Sequence, residues 1–384
     1  MTGKNEADGS RRAVYDPLHL HLNPGEVEPV RVAVIGLGYW GPNLARNLQE
    51  CAEAELTALC DLSGERLARL GRRYPAAAQY QSLDCLLADT EIEAVAISTP
   101  VGTHHRIASA ALSAGKHVFV EKPLAASSEE ALDLIALAQQ KECVLMPGHT
   151  FLYSPPVRTI RTLIDSGEIG EIYFISTSRV NLGLHQPDVS VAWDLGPHDF
   201  SILRYWLGET PSFASALSRG FILPGTPDVA FINLEFPSNT IAHVELSWLA
   251  PSKLRRTAIV GSRKMIVYDD TSPEPVRVFD SGVVPNDPST FGEYQLTYRT
   301  GDIVSLRVDA VEPLGLEMQD FCNAIRTGQT PVSSAELGLE VVRMIEAVDH
   351  SLRQEGARVP LARSDIFLTG MDTAALDRAG QDGV

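Results

Sequence analysis

Residues 31 to 61 read RVAVIGLGYWGPNLARNLQECAEAELTALCD, and the order of features in this stretch decides the fold. Val32 to Ile35 is an apolar run too short for a helix and rich in β-branched residues, which reads as a buried strand. Gly36, Gly38 and Gly41 follow as G-x-G-x-x-G, and Leu44, Ala45 and Leu48 then recur at helical spacing. The glycines therefore sit where a strand turns into a helix. A second short strand, Leu56 to Cys60, ends in Asp61, 20 residues beyond Gly41. Each part has a task in holding a dinucleotide: Gly36 permits the tight turn, Gly38 lets the backbone approach the pyrophosphate, and Gly41 lets helix and strand pack closely. The helix N-terminus offers free N–H groups to the phosphates. Asp61 can accept hydrogen bonds from the adenosine ribose. A lone G-x-G-x-x-G is equally an ordinary glycine turn; here strand, helix, second strand and terminal acid all fall in order.

The acid also indicates which dinucleotide. A 2′-phosphate beside Asp61 would meet a like charge worth roughly 4 kcal/mol at about 4 Å and an effective dielectric near 20, so NAD is expected over NADP. Arg66, one helical turn further on, offers some compensation. Tyr39 and Trp40 in the loop are placed to shield the pyrophosphate or line the pocket.

Beyond Asp61 the chain continues in βα units, the pattern of a parallel sheet. Helices are predicted over 63–72, 82–88, 103–114 and 127–141. Strands are predicted over 76–80, Glu93–Ser98, His117–Val120 and Cys143–Met146. Ligands on such a sheet gather at the carboxyl ends of the strands, where Ser98, Thr99, Pro100, Glu121 and Lys122 lie. Near residue 150 the character changes. Pro155-Pro156 marks a break, VRTIRTLIDSGEIG reads as an amphipathic helix ended by glycine, and strands follow over Tyr173–Val180, 229–236, 240–249, 256–260 and 264–268. Helices over 312–327 and 334–354 are expected to close this second unit. The division predicted is an arm over 1–28, a Rossmann domain over 29–149, a substrate and oligomerisation domain over 150–358, and a tail over 359–384.

With 384 residues, 44% hydrophobic and 21% charged, the chain suits two soluble domains. A formal charge of −17 argues against nucleic acid or an anionic membrane as partner. Five scattered cysteines without C-x-x-C spacing read as small buried hydrophobes in a reducing compartment, and with neither a signal-peptide core nor a membrane-length apolar run the expected location is the cytoplasm. His19 and His21 lack carboxylate or cysteine support, so no metal site is expected.

The segments GLGYWG, STPVGTHHRIASAALSAGKHVFVEKPLA and WDLGPHDFS, in that order, resemble the Gfo/Idh/MocA oxidoreductases, and the similarity runs from about Arg31 to about residue 358. The resemblance implies an α/β protein: an N-terminal Rossmann doubly wound parallel sheet, then a C-terminal α/β domain on a large, mainly antiparallel sheet. One face of that sheet commonly makes a homodimer or homotetramer interface. It also implies catalytic roles for Lys122, Asp194 and His198. Lys122 follows a strand whose end the resemblance places near the nicotinamide, where an ammonium can stabilise a developing alkoxide. Asp194 and His198 are four residues apart and share one helix face. Pro197 between them is tolerable only if the helix has barely begun, which puts the pair in the first turn. An imidazole with an ordinary pKa near 6.5 can take a hydroxyl proton at physiological pH, with Asp194 binding the same hydroxyl or fixing the ring. Residue type and spacing alone leave open a surface lysine, a capping aspartate and a packed histidine.

His104 matches the family's histidine after T-P, packing near the cofactor. Ser201 stands where the family often has an acid, in H-x-x-D. Arg179, Asn181, Trp248 and Lys253 fall on or beside strands of the second domain and are substrate candidates. Within the family, IGLGYWGPN with WDLGPHD is most similar to enzymes that oxidise the C3 hydroxyl of nucleotide-linked amino sugars. An aminoglycoside sugar or an inositol is the alternative substrate. An NAD-dependent glycosidase and a non-catalytic NAD-binding regulator are the alternative functions.

Overall fold

The computed structural model describes residues 28–183, 185, 189–285 and 296–361. The N-terminal arm, His19 and His21 with it, and most of the C-terminal tail lie outside the described residues.

Strands Val30–Ile35 (β1), Ala54–Cys60 (β2), Ala78–Tyr80 (β3), Ala94–Ile97 (β4), His117–Glu121 (β5) and Leu145–Gly148 (β6) form a parallel sheet in the order β3-β2-β1-β4-β5-β6. The connecting helices are Gly41–Glu50 (α1), Gly64–Gly71 (α2), Leu83–Leu87 (α3), His104–Ser113 (α4) and Ser128–Gln140 (α5). Three of them start where a serine oxygen accepts a first-turn N–H: Ser63 from Arg66, Ser82 from Cys85 and Ser127 from Glu130. The sheet is apolar on both faces. One core holds Val32, Val34, Leu44, Leu48 and Leu67, the other Ala33, Ile35, Ile107, Leu112 and Leu134. That is the doubly wound arrangement expected from the sequence.

The chain then forms Pro155–Asp165 (α6), Ile172–Leu182 (β7), Val191–Leu207 (α7), Phe213–Arg219 (β8), Val229–Glu235 (β9), Ile241–Ser247 (β10), Leu249–Gly261 (β11), Met265–Asp269 (β12), Val276–Pro285 (β13), Leu296–Leu306 (β14), Pro313–Thr327 (α8), Ala335–Arg353 (α9) and Val359–Pro360 (β15). The second sheet runs β14-β13-β12-β11-β7-β10-β9-β8-β15, antiparallel except where β7 meets β10. One face packs on α6, α7 and α9 through Ile175, Val244, Leu246, Phe200 and Met344. On the other face the register aligns Ile303, Phe279, Met265, Val260, Phe174 and Ile241 in one apolar row across six strands.

Three features differ from the sequence reading. The strand expected over 240–249 breaks at Trp248, because the chain turns there from β10 into β11. Helix α7 begins at Val191, so Asp194 lies in its first turn but Pro197 and His198 lie further in, and Pro197 leaves the Trp193 carbonyl without its helical donor. Helix α8, expected to close the second domain, instead buries Leu314, Met318, Phe321 and Cys322 in the first sheet's core, with the Phe321 ring 5.9 Å from that of Phe119.

Between β7 and α7 lies a buried ion pair. Arg179 Nε donates to Asp199 Oδ2 at 2.6 Å, and the Thr177 hydroxyl donates to Oδ1 at 3.1 Å. Asp199→Ala would strand a buried guanidinium. It is expected to cost about 3–5 kcal/mol, read as a lowered urea midpoint with unchanged slope. An unchanged midpoint would show that the pair does not hold α7 to the sheet.

Candidate functional site

The glycine loop is built by close backbone approach. Gly36 adopts φ of +89°, and its carbonyl accepts the Ser98 hydroxyl at 2.7 Å. A Cβ on Gly41 would stand 2.1 Å from the Gly36 carbonyl oxygen, so only glycine lets α1 start there. A Cβ on Gly38 would meet nothing within 4 Å, so the loop keeps open space on that side. Asp61, 8% exposed, ties β2 to the loop: Oδ2 accepts Leu37 N–H at 2.7 Å and Oδ1 accepts Ser63 N–H at 2.8 Å. Each carboxylate oxygen keeps a second lone-pair direction for a ribose hydroxyl. The half-exposed Arg66 guanidinium stands 3.6 Å from Asp61 Oδ2. Tyr39 and Trp40 project from the loop edge to face, 79% and 44% exposed. This cradle fits a dinucleotide: open at Gly38, closed at Gly41, with an acid at the ribose end.

At the carboxyl ends of β4 and β5 the buried His104 ring lies between two carbonyls, Thr99 O at 2.8 Å and Pro123 O at 2.9 Å, and as a neutral ring donates its one N–H to one of them. Burial holds its pKa below the ordinary value. Thr103 adds a hydroxyl bond to Thr99 Oγ1 at 2.7 Å, beside Pro100. Glu121, buried at the end of β5, is pushed up to about 7 by desolvation, against which the Lys122 charge acts.

Lys122 and Asp194 meet. The Lys122 ammonium donates to the Asp194 carbonyl at 2.8 Å and to Asp194 Oδ1 at 3.3 Å, while the Trp248 indole N–H donates to Asp194 Oδ2 at 3.1 Å. The carboxylate is therefore engaged by Lys122 and Trp248, and no hydrogen bond joins it to His198 among the described residues. His198 is partly exposed, its ring edge-on to Phe151 at 5.0 Å, and its Nδ1 is buried without a partner. Desolvation first, then the charges of Lys122, Arg179 and Arg255, hold its pKa well below 6.5. The proton affinity is thus lower than the ordinary histidine value used in the sequence reading.

The substrate candidates are dispersed. Arg179 is buried in its pair with Asp199 and stacks over Phe151 at 4.5 Å. Trp248 is 1% exposed and reaches Asp194 through its indole N–H. Asn181 is half-buried on β7, and Lys253 is exposed in the stretch of β11 that bulges out of register between Leu249 and Leu254. Ser201, in the position of the missing acid, is buried and donates to the His198 carbonyl at 2.9 Å.

Two residues escaped the sequence reading. His149, directly after β6, is buried with neither ring nitrogen partnered, and burial with the Lys122 charge pushes it down to about 3. Its place at a strand end was a usable signal. Glu317 on α8 is fully buried beside the same strand ends, accepts the Thr150 hydroxyl at 2.7 Å and is driven well up by burial and by Glu121. Nothing in its helix marks it out. Among the described residues no group of three His, Cys, Asp or Glu side chains is placed to hold a metal ion. No described helix is long and apolar enough to cross a membrane.

Residues 30–149 match the family described as oxidoreductase family, NAD-binding Rossmann fold, and residues 157–267 match the GFO/IDH/MocA C-terminal domain. UDP-N-acetylglucosamine 3-dehydrogenase of Acidithiobacillus ferrooxidans is 27% identical over 301 residues, covering 77% of this chain and 88% of that protein. Myo-inositol 2-dehydrogenase of Thermotoga maritima is 25% identical over 339 residues, covering 85% and 97%. Among solved structures, GenD2 from gentamicin A biosynthesis, in complex with NAD, superposes with a TM-score of 0.74 over 88% of this chain and 97% of its own; at 23% identity this likeness shows the fold.

The loop geometry separates two glycines. Gly41→Ala is expected to lower stability by about 2 kcal/mol through the backbone clash. Gly38→Ala should leave the thermal midpoint in place and weaken NAD binding at least tenfold in calorimetry, because its methyl enters the space the pyrophosphate needs. Equal NAD affinity in Gly38→Ala and wild type would overturn this assignment.

Proposed function

From a chain that belongs to the Gfo/Idh/MocA oxidoreductase family and binds NAD, we propose a dehydrogenase that oxidises a secondary alcohol of a sugar or cyclitol, foremost the C3 hydroxyl of a nucleotide-linked amino sugar. The observation that carries this reading is the Lys122 ammonium held by Asp194 at the carboxyl ends of β4 to β6, beside a histidine kept neutral. The nucleotide-sugar assignment draws on the relative that is a UDP-N-acetylglucosamine 3-dehydrogenase; the inositol dehydrogenase supports a cyclitol as the alternative, beside the aminoglycoside sugar expected from the sequence.

Residues 29–149 are the cofactor domain in this proposal, with Gly36, Gly38, Gly41 and Asp61 as its cradle, and 150–358 carry the substrate. NAD, when bound, supplies the hydride acceptor. The carbinol oxygen must lose its proton as hydride departs, so a base has to stand within hydrogen-bond reach. In this reading His198 is that base and accepts through Nε2, which requires the ring proton on Nδ1, the nitrogen enclosed by the protein. Burial first, and then the surrounding cations, disfavour the imidazolium, so the ring stays neutral. Lys122 donates to the same oxygen and stabilises the alkoxide, with Asp194 fixing its ammonium. The unpaired cysteines among the described residues suit a reducing, cytoplasmic setting.

Purified protein with NAD is expected to form NADH faster with UDP-N-acetylglucosamine than with myo-inositol or an aminoglycoside. A glycosidase would instead cleave a glycosidic bond without accumulating NADH, and a regulator would turn over none of them. Lys122→Ala should lower kcat with NAD affinity unchanged, and His198→Ala should lose roughly 10²- to 10⁴-fold in rate.

The pH dependence follows from the sign of the histidine shift. A depressed pKa leaves the ring neutral at and above its ordinary titration range, so oxidation is lost only as pH falls through the lowered value. The acid limb is expected below about 6.5 and should vanish in His198→Ala. A wild-type limb centred above that value would remove His198 as the base.

The apolar row on the open sheet face supports a homodimer or homotetramer through that face. Phe174→Asp is expected to shift the chain to monomer in sedimentation. A wild type that is itself monomeric at micromolar concentration would defeat the assignment.

A further inference from the structure

We propose that Trp248 is a positioning residue for Lys122 that acts through Asp194; the inference rests on the catalytic reading of Lys122 and Asp194 given above. An aspartate carboxylate turns readily about its terminal bond, because that torsion has broad, shallow wells. A lysine contact at one oxygen leaves the other free to swing. The Trp248 N–H at 3.1 Å from Oδ2 removes that freedom and leaves Oδ1 facing the Lys122 ammonium at 3.3 Å. The indole has a single donor and no acceptor, and buried it needs a partner, so the bond is specific in both directions.

Trp248 is well held for the task. It stands at the break between β10 and β11, where its backbone N–H donates to the Asp228 carbonyl at 2.9 Å and its backbone carbonyl accepts Gly183 N–H at 2.9 Å. Asp228 is itself fully buried and accepts the Phe221 and Ile222 N–H groups at 2.8 and 2.9 Å. The indole lies flush on Gly183, where an added Cβ would come within 2.5 Å of Cδ1. The His185 ring meets it edge-on at 5.3 Å. The second sheet thus reaches, through one indole, an ammonium contributed by the first sheet.

The test uses the full chain labelled with ¹⁵N at its four tryptophans, with Trp248→Phe assigning the Trp248 indole signal. In Asp194→Asn that signal is expected to move upfield while the Trp206 signal stays. In turnover of UDP-N-acetylglucosamine with NAD, or of myo-inositol if that is the substrate, Trp248→Phe should lower kcat about tenfold, with KM for NAD within about twofold; the lost indole volume also lowers the thermal midpoint, so turnover is read well below it. Gly183→Ala, which pushes the indole away without removing it, should give a similar loss and serves if Trp248→Phe fails to fold. In an Asp194→Ala background Trp248→Phe should change kcat by less than about twofold. An unmoved indole signal, a wild-type kcat in both variants, or the full loss recurring without Asp194 would each overturn the proposal. If the signal moves but Lys122→Ala is as active as wild type, the catalytic reading fails and the positioning role with it. If Lys122→Ala is crippled and Trp248→Phe is not, only the present inference fails.

Discussion

A lysine ammonium taken largely out of water needs a countercharge, and the site is organised around how Lys122 obtains one. It comes from Asp194, whose carbonyl and carboxylate both receive the ammonium. That contact joins the end of β5 to the first turn of α7, so the first sheet and the helix that covers the second sheet share one charge pair. The same cation sets the electrostatics nearby: it opposes the upward drift of the buried Glu121, deepens the depression of His149 and contributes to that of His198. The result is two imidazoles kept neutral beside one retained positive charge. Such a division suits an oxygen that must lose a proton while gaining negative charge.

The strand ends are fixed from below by a polar network that arrives late in the chain. Tyr153 donates its hydroxyl to Asp320 at 2.6 Å, Asp320 accepts Val332 N–H at 2.8 Å, and the Ser333 hydroxyl donates to the Pro147 carbonyl at 2.6 Å. These bonds lock the segment between α8 and α9 onto the end of β6. Helix α9 then lies between the two layers, giving Leu339 and Val342 to one core and Val341, Ile345 and Val348 to the other. Trp193 on α7 donates to Asp349 on α9 at 2.7 Å, so α7 is braced from that side too. Because buried polar groups are costly unless satisfied, such a network favours one relative placement of the two sheets.

How much was legible in the sequence varies with the range of the forces involved. Strand, glycine turn, helix and acid within residues 31–61 are local, and the fold follows them: Gly36 takes the left-handed conformation and Asp61 closes on the loop. The serine caps of α2, α3 and α5 are local as well. Strands β8, β13 and β14 lie outside the strands named from the sequence; β13 and β14 pair with each other on one long outer ribbon, where polar and apolar residues mix and the alternation is weak. The place of α8 was misjudged because an amphipathic helix shows that it has a buried face without showing which sheet buries it.

The sequence by itself determined the parallel first sheet, its cofactor cradle and the residue types at its strand ends, because those depend on neighbours a few positions apart. Only the tertiary structure decided who partners whom across the site. Asp194 and His198 share a helix, yet the carboxylate turns to Lys122, 72 residues earlier, and to Trp248, 54 residues later. Arg179, a substrate candidate by residue type, is spent on Asp199, and His149 and Glu317 acquire their shifted proton affinities from burial that no short stretch of sequence records. Hydrogen bonding and desolvation depend on what surrounds a group in space, and that environment is assembled only when both sheets, α7 and the returning helices close together.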